Sequence, residues 1–182
     1  MPDMITRNSG PPAMPAVLGV GLRRETAADR DFLASLYISV RWPELEPSGW
    51  PDPVKQNFLC HQFALQTAHY AAHYAGADFW IVTRAEQPIG RLYLHGGAEE
   101  LRVVDISLLP GSRGGGIGTA LLRAVQAEAK AAGKLVSIHV ESFNPARALY
   151  RRLGFEEIEE RAPYWLMHWH PGKTALSPEE LE

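Results

Sequence analysis

Val103-Val104-Asp105-Ile106-Ser107-Leu108-Leu109-Pro110-Gly111-Ser112-Arg113-Gly114-Gly115-Gly116-Ile117-Gly118-Thr119 is the stretch that decides the fold of this chain. It runs from an apolar, strand-like segment through a glycine loop into a segment with helical character over residues 119–132. Four of the five residues 114–118 are glycine. Such a loop lets the backbone approach a ligand without obstruction by Cβ atoms. The helix behind it aims unpaired N–H groups and the positive end of its dipole at that ligand. Arg113 adds a full positive charge. The loop therefore reads as a phosphate-binding turn; one that merely joins strand to helix needs one or two glycines rather than four.

On the C-terminal side, Gly133 stops the helix and residues 135–140 return as a strand, which places the loop inside a βαβ unit. Asn144 and Pro145 then cap and open a helix that runs to Leu153, and Gly154 ends it. Residues 155–161 and 164–168 form a closing hairpin. On the N-terminal side, residues 79–83, 89–94 and 101–109 are three successive strands with no helix between them, an antiparallel meander with a turn at 85–88. Meander and βαβ unit together predict an α/β chain (α+β in its segregation) with a mixed sheet. Further upstream, residues 17–24 read as a first strand, and a helix capped by Thr26 or Asp29 follows as far as Val40. Residues 41–53 form a proline-rich loop that carries Trp42 and Trp50, and residues 54–75 a long helix ended by Gly76.

Composition narrows the function classes. At 182 residues one domain is expected, burying roughly 70% of its unfolded surface. The division is a flexible leader over 1–16, a single domain over 17–170 and a tail over 171–182. The net charge of −3, with no basic run longer than Arg23-Arg24 or Arg151-Arg152, argues against nucleic acid as a partner. No stretch approaches the ~20 apolar residues of a membrane span, and the first residues lack a basic start followed by an apolar run; a cytoplasmic, membrane-free protein is expected. Cys60 stands alone and reads as core filler on a helix.

Spacing separates the phosphate ligands. A nucleotide P-loop requires G-x-x-x-x-G-K-[ST], and counted from Gly111 the lysine position holds Ile117. A dinucleotide fingerprint starting at Gly116 and Gly118 meets Leu121 where its third glycine belongs, and leaves Asn144, Tyr150 and the meander unexplained. The loop Arg113-Gly114-Gly115-Gly116-Ile117-Gly118 matches instead the [QR]-x-x-G-x-[GA] loop of the GNAT superfamily of acyl-CoA-dependent N-acyltransferases. Leu108-Leu109-Pro110 stands where that family has V-x-P, and Asn144-Pro145-Ala146-Arg147-Ala148-Leu149-Tyr150-Arg151-Arg152-Leu153-Gly154-Phe155 resembles its N-x-x-A-x-x-x-Y-x-x-x-G-F.

The resemblance implies a centrally splayed mixed sheet flanked by helices and an N-acetyltransferase that moves an acetyl group from acetyl-CoA, its co-substrate, to a primary amine by direct attack, with no metal. By resemblance Arg113, Gly114, Gly115, Gly116, Ile117, Gly118 and Thr119 hold the pyrophosphate, and Leu108 and Leu109 present backbone to the pantetheine arm. Asn144 bonds that arm or simply caps its helix. Tyr150 protonates the departing thiolate, or packs on the core. For the base that deprotonates the amine, two residues fit: His139, on the strand after the glycine helix, and Asp105, a charge interrupting an apolar strand. The two pair if their strands bring them to one side, or serve as buried polar structure. Glu99 and Glu100 read as a solvated turn. His61, His69 and His73 read as one face of an ordinary helix rather than a metal site. Glu44, Glu46 and Asp52 offer attraction for a cationic acceptor, while Trp42 and Trp50 either stack on it or seal the core. A small amine, an amino acid, a peptide N-terminus and an aminoglycoside all stay open as acceptors, as does a homodimer. The rival class is a non-catalytic acyl-CoA-binding or sensor module.

Overall fold

The computed structural model describes residues 10–14 and 19–172. The expectations for residues 1–9, 15–18 and 173–182, which cover most of the leader and tail and the opening of the first strand, lie outside the described residues. Within 10–14, Met14 packs against the main core.

The elements follow the expected order: β1 (Val20–Arg24), α1 (Arg30–Arg41), α2 (Asp52–His73), β2 (Asp78–Arg84), β3 (Gln87–Gly96), β4 (Glu100–Leu108), α3 (Ile117–Ala131), β5 (Leu135–Glu141), α4 (Ala146–Arg152), β6 (Glu156–Arg161) and β7 (Tyr164–Trp169). They build one seven-stranded open sheet in the order β1-β2-β3-β4-β5-β7-β6. All neighbours are antiparallel except β4 and β5, the pair joined by α3. Alternation along the strands sorts the two faces. Trp80, Val82, Leu92 and Val103 point into the main core with Leu121 and Val125 of α3 and Tyr150 of α4. Ile81 points the other way, to Leu33 of α1 and Phe63 of α2. The α1 start is held by Asp29, whose Oδ2 accepts the Thr26 N–H at 2.8 Å while Arg23 Nη2 donates to its Oδ1 at 2.6 Å.

Two local readings change. The proline-rich loop contains a 3₁₀ helix, Trp42–Ser48, a conformation that accommodates Pro43 at its start. Its tryptophans do not seal the core: Trp50 is exposed with its ring edge-on to Phe58 at 5.5 Å, and Trp42 lies under the Lys55 ammonium at 5.3 Å. Cys60 is exposed, correcting its reading as core filler. The inward stripe of α2 passes through Lys55, Leu59 and Phe63 at i, i+4, i+8, and Cys60 sits one residue around the helix from it.

The sheet splays where the site will lie. Pairing of β4 with β5 runs from Glu100↔Leu135 to Val103↔Ile138 and stops. On its other side β4 has a bulge: Leu94 pairs with Val103 but Tyr93 pairs with Asp105, so Val104 is extra. A bulge bends its strand and sharpens the twist. Beyond it β4 stays with β3 as far as Gly90↔Leu108, while β5 stays with β7 as far as Glu141↔Tyr164. Gly90 permits the first of these pairings, because a Cβ there would stand 2.3 Å from the Ser107 carbonyl oxygen. The two halves of the sheet thus part around a slot.

Candidate active site

Two cavities meet at that slot. The first, about 250 Å³, passes through the sheet between β4 and β5: Asp105, Ile106 and Ser107 form one side, Ile138, His139 and Glu141 the other, with Tyr37 and Arg41 of α1 and Tyr70 of α2 above. The second, about 410 Å³, lies on the α3 and α4 face and is lined by Leu108, Arg113, Gly114, Gly116, Gly118, Thr119, Leu149 and Arg152, among others. Ile106 and Tyr150 line both.

The second cavity is built for an anion. Gly114 and Gly116 both have φ of 79°, a left-handed conformation that disfavours any Cβ, and neither has an atom within 4 Å of where a Cβ would stand. Gly116 is the N-cap of α3, so the first N–H groups of the helix face this space. The charged residues lining it are Arg113 and Arg152, both cations. Coenzyme A fits this donor set: two guanidinium groups and a helix N-terminus for a pyrophosphate, with Leu108, Leu122 and Leu149 beside them for an apolar arm. Other loop residues divide their labour differently. Ile117 buries its side chain in the main core and offers only backbone, and Gly115 has no positive φ. The Leu108 carbonyl accepts Arg113 Nε at 3.0 Å, and the Leu109 N–H donates to Ile89 at 2.9 Å. The Leu109 N–H therefore faces β3, while its carbonyl accepts the Ser112 N–H at 2.9 Å.

Tyr150 stands at the junction. Its ring is buried against Phe155 of the main core at 5.9 Å between centroids, yet its hydroxyl makes no hydrogen bond among the described residues. Burial, then the charge of Asp105, pushes its pKa up, so the phenol keeps its proton at any physiological pH. Asn144 lines the first cavity rather than the second, and its Oδ1 accepts the Ala146 N–H at 2.9 Å in a turn that leads into α4, whose N-cap is Pro145 rather than the expected Asn144.

Asp105 and His139 line the same slot from opposite sides and do not bond to each other. Asp105 is engaged elsewhere. Its Oδ2 accepts Arg91 Nη2 at 2.6 Å and the Tyr70 hydroxyl at 3.0 Å, and its Oδ1 accepts the Ser107 hydroxyl at 2.7 Å. Arg91 is 3% exposed, gives Nη2 also to Gln66 at 2.8 Å, and lies 5.0 Å from the Tyr93 ring. A charge so deep requires this pairing. His139 is exposed on the slot; partial desolvation, then the fields of Arg102 and Arg161, lower its pKa from the ordinary 6.5. Its imidazole is therefore neutral at neutral pH. At the mouth, Arg41 Nη1 donates to Glu44 Oε1 and to Glu141 Oε1, both at 2.9 Å, tying α1 to the end of β5.

Arg91, Tyr70, Arg41 and Arg152 carried no individual site assignment from the sequence. An arginine inside the apolar strand Ile89-Gly90-Arg91-Leu92 was the available signal for the first, since it demands a buried partner. Nothing local distinguishes Arg152 from its neighbour Arg151, which pairs with Glu157 at 2.6 Å.

Comparison with known proteins agrees with this geometry. Residues 75–157, from the start of the meander through α4, match the family model described as the acetyltransferase (GNAT) domain. A search of curated proteins finds no match. Among solved structures, the PaiA N-acetyltransferase of Thermoplasma acidophilum in complex with coenzyme A is similar at a TM-score of 0.64 and 15% identity, over 83% of this chain and 98% of that one. An acetyltransferase from Thermus thermophilus aligns at a TM-score of 0.62 and 20% identity, over 85% and 98%. Arabidopsis thaliana Naa50 in complex with the bisubstrate analogue CoA-Ac-MVNAL aligns at 0.56 and 16%, over 83% and 98%. Glycine loop, splayed seven-stranded sheet and family match converge: over residues 75–157 the chain is similar to the acetyltransferase (GNAT) domain.

Proposed function

We propose that the protein transfers the acetyl group of acetyl-CoA to a primary amine by direct attack, and the observation that carries this is Tyr150, which lines both cavities and whose hydroxyl has no hydrogen-bond partner among the described residues. The glycine loop cavity takes the coenzyme from the α3 and α4 face. The slot takes the amine from the α1 and α2 face, where Glu44, Glu141 and Asp105 outnumber Arg41 and Arg91 and favour a cationic acceptor. Neutral His139 accepts the ammonium proton, directly or through one water. The freed amine then attacks the thioester carbonyl, the carbon–sulfur bond breaks as Tyr150 donates its proton to the departing thiolate, and the second proton shed by the nitrogen returns to the Tyr150 phenolate through water. Backbone N–H groups of β4 beyond Val103, without partners on β5, are placed to bind the oxyanion. Asp105, with both oxygens already accepting, holds the cleft wall instead of acting as the base.

The test is calorimetric titration with acetyl-CoA beside a Gly116→Glu variant, followed by acetylation assays over an amine panel. Micromolar binding lost in the variant, and amine-dependent release of free coenzyme A, are the expected results. Binding without turnover on any amine would assign the chain to acyl-CoA sensing; no binding by the folded protein would overturn the reading.

A further inference from the structure

A third cavity, about 540 Å³ and larger than either the slot or the glycine-loop cavity, lies away from the slot, beneath α1 and α2 on the β2 and β3 side. Leu33, Phe63, Phe79 and Tyr93 make an apolar, mostly aromatic floor, with the Phe79 and Tyr93 rings edge to face at 4.6 Å. Its mouth opens between Arg30 at the head of α1 and Ala71 on α2, both exposed. The volume falls in the range of small-molecule sites, and a far smaller apolar cavity of ~150 Å³ already binds benzene. Three charged residues line it. Glu25 accepts the Tyr93 hydroxyl at 2.5 Å, and Arg91 is held by Asp105. Arg30 has no ion-pair partner among the described residues. Two cations against one carboxylate, with the unpaired cation at the rim, favour an anionic head on an apolar body.

We infer that this chamber is a second ligand site, for a small aromatic carboxylate whose ring lies on Phe63, Phe79 and Tyr93 and whose carboxylate pairs with Arg30. The site is separate from the acceptor slot because the Tyr70–Asp105 and Arg91–Asp105 contacts close the wall between them. It is also coupled to that slot, since Tyr70 and Arg91 line both cavities. A ring seated against Tyr93, whose own ring packs edge-on to Tyr70 at 5.7 Å, restrains the wall that shapes the slot, so occupation lowers the acceptor KM and leaves kcat little changed.

Binding is tested without reference to turnover. Calorimetric titrations with phenylacetate, phenylacetamide and phenethylamine compare one ring with three heads. Phenylacetate is expected to bind best. Arg30→Gln is expected to weaken it about threefold to tenfold, the loss of one partly exposed charge-assisted contact, and to bring it level with the amide. Ala71→Trp, which fills the mouth from an exposed helix position, is expected to abolish binding of all three, with acetyl-CoA titration as the check that the variant is folded. Arg41→Gln, in the acceptor slot, is expected to leave phenylacetate binding unchanged. Failure of phenylacetate to bind the wild type, equal binding of the three heads, or binding that survives Ala71→Trp would each overturn the proposal. A phenylacetate titre that changes with Arg41→Gln would place the carboxylate in the acceptor slot and also overturn it.

Discussion

Tyr150, His139 and Asp105 sit around one slot, yet their surroundings assign them different work. Tyr150 is buried with a free hydroxyl and a raised pKa, the state of a proton donor. Tyr150→Phe is expected to lower kcat by about 10²–10⁴-fold, the range for one general acid, with little change in acetyl-CoA affinity. Stopped-flow detection of free thiol measures the first and calorimetry the second. His139 has its pKa lowered from 6.5, so its basic form persists below that value and is lost only on further acidification. The acidic limb of kcat/KM is therefore expected to have its midpoint below 6.5, and His139→Gln should remove that limb; an unchanged limb would exclude His139 as the base. Asp105 is different, because its loss strands a buried guanidinium. Asp105→Asn is expected to cost about 3–5 kcal/mol in urea unfolding, and the double change Asp105→Leu with Arg91→Leu far less, since an ion pair replaced whole by apolar groups leaves no unpaired charge.

Among the elements, β4 does most to set the site. Its first residues pair with β5 and its last with β3 alone, and the change happens at the Val104 bulge. Alternation before the bulge points Leu101 and Val103 at the main core; after it, Asp105 and Ser107 face α1 and α2. One extra residue thus moves a carboxylate out of the apolar core and against Arg91 and Tyr70. Gly90 keeps the bent end of β4 attached to β3. Gly90→Val is expected to destabilise the fold by about 1–3 kcal/mol through overpacking against Ser107 and Leu108. Because Leu108 lines the glycine-loop cavity proposed to take the coenzyme, the same variant is expected to weaken acetyl-CoA binding. Thermal unfolding and calorimetry on one preparation check both effects.

Across the whole molecule, ion pairs join distant parts of the chain. Arg41 ties α1 to β5, and Arg147 ties α4 to Glu157 on β6 at 2.5 Å. Asp29 has its pKa depressed, first by the hydrogen bond from Arg23 and then by its bonds to Thr26. Burial works against the charge on Glu157, but Arg147 and Arg151 hold its pKa below 4.5. Both folded values lie below the unfolded ones, so their contribution is present above the ordinary carboxylate range and is lost as pH falls through the folded values. The urea midpoint is expected to drop on acidification below 4.5, and Asp29→Asn to be less stable at neutral pH with a flatter acid dependence. What the sequence determined by itself was local: strand and helix periods, the stops at Gly133 and Gly154, the Asn144-Pro145 turn into a helix, and a glycine loop ahead of a helix. Each is set by interactions within a few residues, and the motif spacing from Arg113 to Phe155 carried the family with it. What only the tertiary structure decided were the relations between strands and helices that are far apart in the chain. These are the end of β4–β5 pairing at Val103, the Arg91–Asp105–Tyr70 cluster in place of an Asp105–His139 pair, and Arg152 beside the glycine loop. Period-two alternation tells which residues of one strand share a face, but a bulge resets it, and register between strands depends on long-range hydrogen bonding and packing that no single segment encodes.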